Sequence, residues 1–151
     1  MTIIETDYEN PWTFNGIPFN SDNIQKYVGF VYVIIQHDSG RRYIGRKYFH
    51  TLRKTRGKTK RVRKESDWKS YYGSSRELLA AVESTGKENF KRVILSLHTT
   101  KGDVNYEEVK QQFQNNVLEN TIYYNDNING KWYRKADHII EGRIYNEDFR
   151  L

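Results

Sequence analysis

Gly29-Phe30-Val31-Tyr32-Val33-Ile34-Ile35-Gln36, then His37-Asp38-Ser39-Gly40, then Arg41-Arg42-Tyr43-Ile44-Gly45, is the stretch on which the fold turns. Its opening run is β-branched and aromatic, the middle is rich in turn formers, and the end resumes an apolar and aromatic pattern. Together these read as a β-hairpin. A hairpin of this length brings the hydroxyls of Tyr32 and Tyr43 to one end of a sheet.

Upstream, residues 1–28 lack sustained periodicity and carry Asn10-Pro11 and Gly16-Ile17-Pro18, so an irregular arm is expected there. Downstream, residues 46–64 hold ten Lys or Arg, no Asp or Glu, and Gly57 in the middle. Such a run repels itself and is expected to order against an anion, the plainer alternative being a solvated loop or helix face. A helix is expected from Ser74-Ser75: Ser74 and Glu77 have capping-box spacing, Leu78, Leu79 and Val82 share a face, and Gly86 ends it. Residues 90–98 alternate as a third strand, and Thr99 to Asp103 read as a turn. A second helix is expected over 105–118, with Val109, Phe113 and Val117 as its apolar stripe. The order β-β-α-β-α gives an α+β fold, a small and mainly antiparallel three-stranded sheet flanked by helices. The chain then divides into an arm (1–28), a domain (29–125) with a basic insertion (46–64), and a C-terminal extension (126–151).

Size and composition fit one folded domain. The 151 residues are 36% hydrophobic and 15% aromatic, well above a disordered chain, and tyrosine occurs 12 times. A formal net charge of +6 favours an acidic polymer as partner, because neutralising phosphates releases their counterions. The absence of cysteine excludes disulfides, thiolate zinc sites and cysteine nucleophiles, so any metal must be held by oxygen or imidazole. The four histidines, His37, His50, His98 and His138, show no metal-ligand spacing. Met1 to Asp7 contain neither a basic leader nor an apolar core, and no apolar run is long enough to cross a bilayer, so a cytoplasmic protein without a membrane partner is expected.

The hairpin resembles the GIY-YIG nuclease family, in which two motif tyrosines lie on adjacent strands about as far apart in sequence as Tyr32 and Tyr43. Tyr43-Ile44-Gly45 matches the second motif fully. The first departs from it: Phe30-Val31-Tyr32 stands for Gly-Ile-Tyr, and the glycine falls one place earlier, at Gly29. The family's arginine, about ten residues beyond the second tyrosine, corresponds to Arg53, with Arg46, Lys54 and Arg56 as neighbouring candidates. Its metal-binding glutamate corresponds to Glu108, as in phage members with a Tyr-x-Glu helix start, and Glu107 is the alternative. Tyr124-Asn125 matches the closing asparagine. Gly57 occupies the place of the family's following histidine or tyrosine. The resemblance covers residues 29–125 and is nearest to the small Seg-like homing endonucleases of T-even-type bacteriophages.

It implies a DNA endonuclease acting on double-stranded DNA with Mg²⁺ or Mn²⁺, its site built from Tyr32, Tyr43, Arg53, Glu108 and Asn125. Tyr32 would accept the attacking water's proton and Tyr43 would assist it or the phosphate. The planar fork of Arg53 would grip the phosphate, and Glu108 would hold the cation, which commonly keeps several waters. Asn125 suits a structural anchor better than a ligand. The DNA backbone would be gripped by Arg46, Lys47, His50, Lys54, Arg56, Lys58, Lys60, Arg61, Arg63 and Lys64. The departures at Phe30 and Gly57 leave a second reading, a catalytically silent DNA- or RNA-binding protein. A third, a basic protein meeting an acidic protein partner, would show no salt-sensitive affinity for DNA.

Overall fold

The computed structural model describes residues 6–54, 57 and 61–135, with Arg53, Lys54, Arg61 and Val62 described by their backbone alone. Its strands are β1 (Thr13–Phe14), β2 (Ile17–Pro18), β3 (Gly29–Gln36), β4 (Arg42–Tyr48), β5 (His50–Lys54), β6 (Arg61–Glu65), β7 (Phe90–His98), β8 (Asn127–Ile128) and β9 (Trp132–Tyr133). The helices are α1 (Arg76–Thr85) and α2 (Lys101–Gln114). The main sheet runs β2-β1-β7-β3-β4, while β5-β6 and β8-β9 form separate hairpins. The expected α+β class and the three central strands are present, mostly antiparallel, with β1 added parallel to β7.

Strand β3 is central and covered on both faces, which explains its nearly unbroken apolar sequence. Phe30, Tyr32 and Ile34 join a core with Trp12, Phe19, Trp68, Leu78 and Phe90. Val31 joins a second core with Ile44, Val104, Val117 and Ile128. The arm therefore supplies core: Trp12 is fully buried, edge-on to both Phe30 and Tyr32 at 5.0 Å, and its Nε1 donates to the Trp68 carbonyl at 2.7 Å. Arg92 is buried beneath the arm, donating to the carbonyls of Asn10 and, at 2.9 Å, Tyr71.

Two local details depart from the sequence reading. The N-cap of α1 is Ser75, whose hydroxyl accepts from the Leu78 N–H, and Ser74 is released to bond elsewhere. Helix α2 starts four residues early because Thr100 caps it, accepting from the Asp103 N–H. Its inward face then carries Val104 and Gln112, both buried, whereas Phe113 is half-exposed and Val117 lies beyond the helix end. Among the described residues no helix is long and apolar enough to cross a membrane.

Candidate active site

Strand β4 is an edge of the main sheet, so its outward backbone groups need partners other than a neighbouring strand. Asn125 serves Ile44 on both sides: its Oδ1 accepts from the Ile44 N–H at 3.1 Å, and its Nδ2 donates to the Ile44 carbonyl at 2.8 Å. The Gln112 amide donates to that same carbonyl at 3.0 Å. One turn earlier on α2, Glu108 pairs with the Arg46 Nε at 3.2 Å. Burial raises the Glu108 carboxyl above its ordinary pKa, and Arg46 works against that rise.

The tyrosines sit on the other face of β4. Tyr32 is opposite Gly45 in register, and its ring lies 6.2 Å from that of Tyr43. An ideal Cβ at Gly45 would stand 2.5 Å from the Tyr32 hydroxyl and 2.8 Å from Tyr43 Cε1, so only glycine lets the two rings meet over this strand. Gly29 has its own reason, since a Cβ there would meet the Lys47 carbonyl at 2.8 Å. The β3–β7 register shifts between Val31 and Tyr32, a bulge at the very tyrosine in question. Tyr32 is wholly buried, and its hydroxyl makes no well-formed hydrogen bond; Tyr71 is close, with its ring edge-on at 6.1 Å. Burial, with Tyr43 and Tyr71 beside it, drives the Tyr32 pKa well above 10. Tyr43 bonds the Ser74 hydroxyl at 2.9 Å, and burial pushes its pKa up to about 12. Both phenols are therefore neutral at ordinary pH, and of the two only Tyr43 is hydrogen-bonded.

A polar cleft of about 620 Å³ crosses this edge, lined by Tyr43, Arg46, Ser74, Arg76, Glu108 and Asp126 among others. It unites Tyr43, Glu108 and Asn125 of the expected set, with Tyr32 beneath Tyr43. Glu107 is not among its lining residues and instead accepts a bond from Gln111 at 2.8 Å. Arg53 lies on the β5–β6 hairpin, its side chain outside the described set along with those of Lys54 and Arg61; Arg56, Lys58 and Lys60 fall outside the described residues altogether. Of the other basic candidates, Arg46 pairs with Glu108 and Lys47 pairs with Asp67 at 2.6 Å. His50 meets Arg63 at 3.0 Å, and burial together with Arg63 lowers its imidazole pKa. Arg63 and Lys64 are exposed. The sequence reading missed Arg76, an exposed first residue of α1 on the cleft wall, and Asp126, an exposed acid close enough to raise the Tyr43 pKa. Moving the helix cap by one residue would have found Arg76. Only the neighbouring Asn125 hinted at Asp126.

The family model for endonuclease segE, GIY-YIG domain, matches residues 12–128. The chain belongs to this GIY-YIG family. No curated protein and no solved structure matches it. The matched span of this GIY-YIG domain starts at Trp12, whose ring supports Tyr32, and ends at Ile128, buried in the second core. It thus takes in both short strands of the arm and, Asn129 apart, the residues that line the cleft.

Proposed function

We propose that this GIY-YIG domain is a metal-dependent endonuclease that hydrolyses phosphodiester bonds of double-stranded DNA, a free-standing phage homing enzyme at work in the host cytoplasm. The observation that carries the reading is one cleft holding Tyr43, Glu108 and Arg76, unpaired among the described residues, over a strand edge clamped by Asn125. Glu108 fits Mg²⁺ or Mn²⁺: it is a half-desolvated carboxylate in an open polar cleft, and such a cation completes its shell with water and phosphate. When bound, the cation would supply a Lewis acid beside the scissile phosphate. Arg46, now paired with Glu108, is placed to turn toward the phosphate. Arg53 on the β5–β6 hairpin or Arg76 on the cleft wall would grip the phosphoryl oxygens with a planar fork. Tyr43 would donate to the phosphate or orient the water, and Tyr32 would take up the water's proton only as phenolate, formed once the cation or an arginine draws its pKa down and an opening of the site brings water to its sealed hydroxyl.

The sealed Tyr32 hydroxyl favours a second reading, a silent domain that binds DNA or RNA without cutting it. Supercoiled plasmid incubated with the protein and its Glu108→Gln variant, in Mg²⁺ or EDTA, separates the two. Mg²⁺-dependent nicks lost in the variant establish the nuclease. A salt-sensitive gel shift with no cleavage under any divalent ion establishes the silent binder. Arg53→Ala and Arg76→Ala, run beside it, identify the phosphate-gripping arginine by which of them loses cleavage.

A further inference from the structure

Aromatic side chains cluster beside the cleft where the mechanism does not use them. Phe113 and Trp132 meet edge-on at 5.3 Å, yet they remain 46% and 47% exposed, and Tyr133 is 55% exposed. Tyr106, Lys110 and Phe113 follow one another along one face of α2, all of them exposed. Lys131 stands over the Trp132 ring at 6.0 Å, and Lys135 is exposed nearby in sequence. The turn of the β8–β9 hairpin is closed by the Lys131 N–H on the Ile128 carbonyl at 3.1 Å, with Asn129 and Gly130 both left-handed. Asn127 and Asn129 of this hairpin line the same cleft as Glu108. The aromatic pair therefore sits on the helix and the hairpin that also line the proposed DNA site, with Lys110, Lys131 and Lys135 exposed in the same two segments and Asp126 as the exposed acid toward the cleft. A flat π-face flanked by ammonium groups suits a base above and its phosphate alongside.

We propose that Trp132, with Phe113 behind it, is a stacking platform for a nucleobase that has left its stack in the DNA strand crossing the cleft. The proposal rests on the nuclease reading and deepens it: the preferred substrate is DNA with unpaired or easily opened bases beside the cut. Exposure also makes Trp132 a reporter, because Trp12 and Trp68, the remaining two of three tryptophans, are fully buried.

The test uses the full-length Glu108→Gln protein, which is expected to hold DNA uncut. Its tryptophan emission is followed during titration with a single-stranded oligonucleotide, a duplex with a central unpaired segment and a fully paired duplex. The expected result is acrylamide-sensitive emission in the free protein and strong quenching by the first two DNAs. Adding Trp132→Ala or Phe113→Ala should weaken those two complexes roughly ten-fold or more, with little change for the paired duplex. DNA binding with unchanged emission overturns the platform alone. So does a Trp132 already shielded from acrylamide, which would mean that residues 136–151 or a second copy cover it. Failure to bind any of the three DNAs overturns the nuclease reading, and the platform with it.

Discussion

At residue scale, the site depends on what is missing from one position. Gly45 is the point at which Tyr32, from the centre of the sheet, and Tyr43, from its edge, are allowed to touch the same strand. A methyl group there has no free space, and the atom it meets is a phenol locked in the core rather than the tip of a mobile side chain. Gly45→Ala should cost about 1–3 kcal/mol of stability through overpacking and abolish cleavage by displacing both rings. Urea melts and the plasmid assay read the two effects, and an alanine variant as stable and active as the parent would show that the tyrosine pair is not held this way. Glu108 and Asn125 work by a related economy. Asn125 satisfies the backbone of the edge strand and Glu108 pairs with the Arg46 side chain of that same strand, so the groups that would shape the cleft or bind metal are held against β4.

At the scale of elements, the N-terminal arm is the least expected contributor. Trp12 fills the space under Tyr32 and ties itself to the Trp68 carbonyl, while Arg92 holds the neighbouring backbone of Asn10. Trp12→Ala should cost about 3–5 kcal/mol and leave that carbonyl without its donor. The shift is measurable by denaturant unfolding, and a loss under 1 kcal/mol would mean that the arm merely rests on the surface. Strands β3, β4 and β7 were legible in the sequence because their alternation is local and strong. Their pairing with two helices also follows from chain order. Tyr43, Glu108 and Asn125, which meet in one cleft, were legible through the family resemblance. The arm was not, because two-residue strands leave no periodic trace and their partner β7 is about 80 residues away. The buried face of α2 was misread for a different reason: it is partly polar, with Gln112 facing the β4 edge where an apolar stripe would be expected. Helix α1 starts one residue later because Ser75 rather than Ser74 is the cap, and α2 starts early because Thr100, read as part of a turn, caps it.

At the scale of the whole molecule, the tyrosines tie the fold to pH. Burial pushes Tyr8 and Tyr43 up to about 12 and holds Tyr32 well above 10. In the unfolded chain the same phenols lose their protons near pH 10. Above that value the unfolded state binds fewer protons than the folded one, so stability falls as pH rises. The contribution is fully present below pH 10 and disappears across the interval up to about 12. For Tyr43, most of which is buried, two units correspond to about 3 kcal/mol; Tyr8, more open to solvent, contributes less, and Tyr32 adds in the same direction. The protein should therefore keep its stability from neutral pH to about 10 and then unfold cooperatively in alkali. Following tyrosinate absorbance beside the near-ultraviolet dichroism of the core tests this. The buried Tyr8, Tyr32 and Tyr43 should ionise together with loss of the dichroism. If all of them titrated near pH 10 in a protein that stayed folded, Tyr32 and Tyr43 would be open to water, and the burial that keeps both phenols neutral would be wrong.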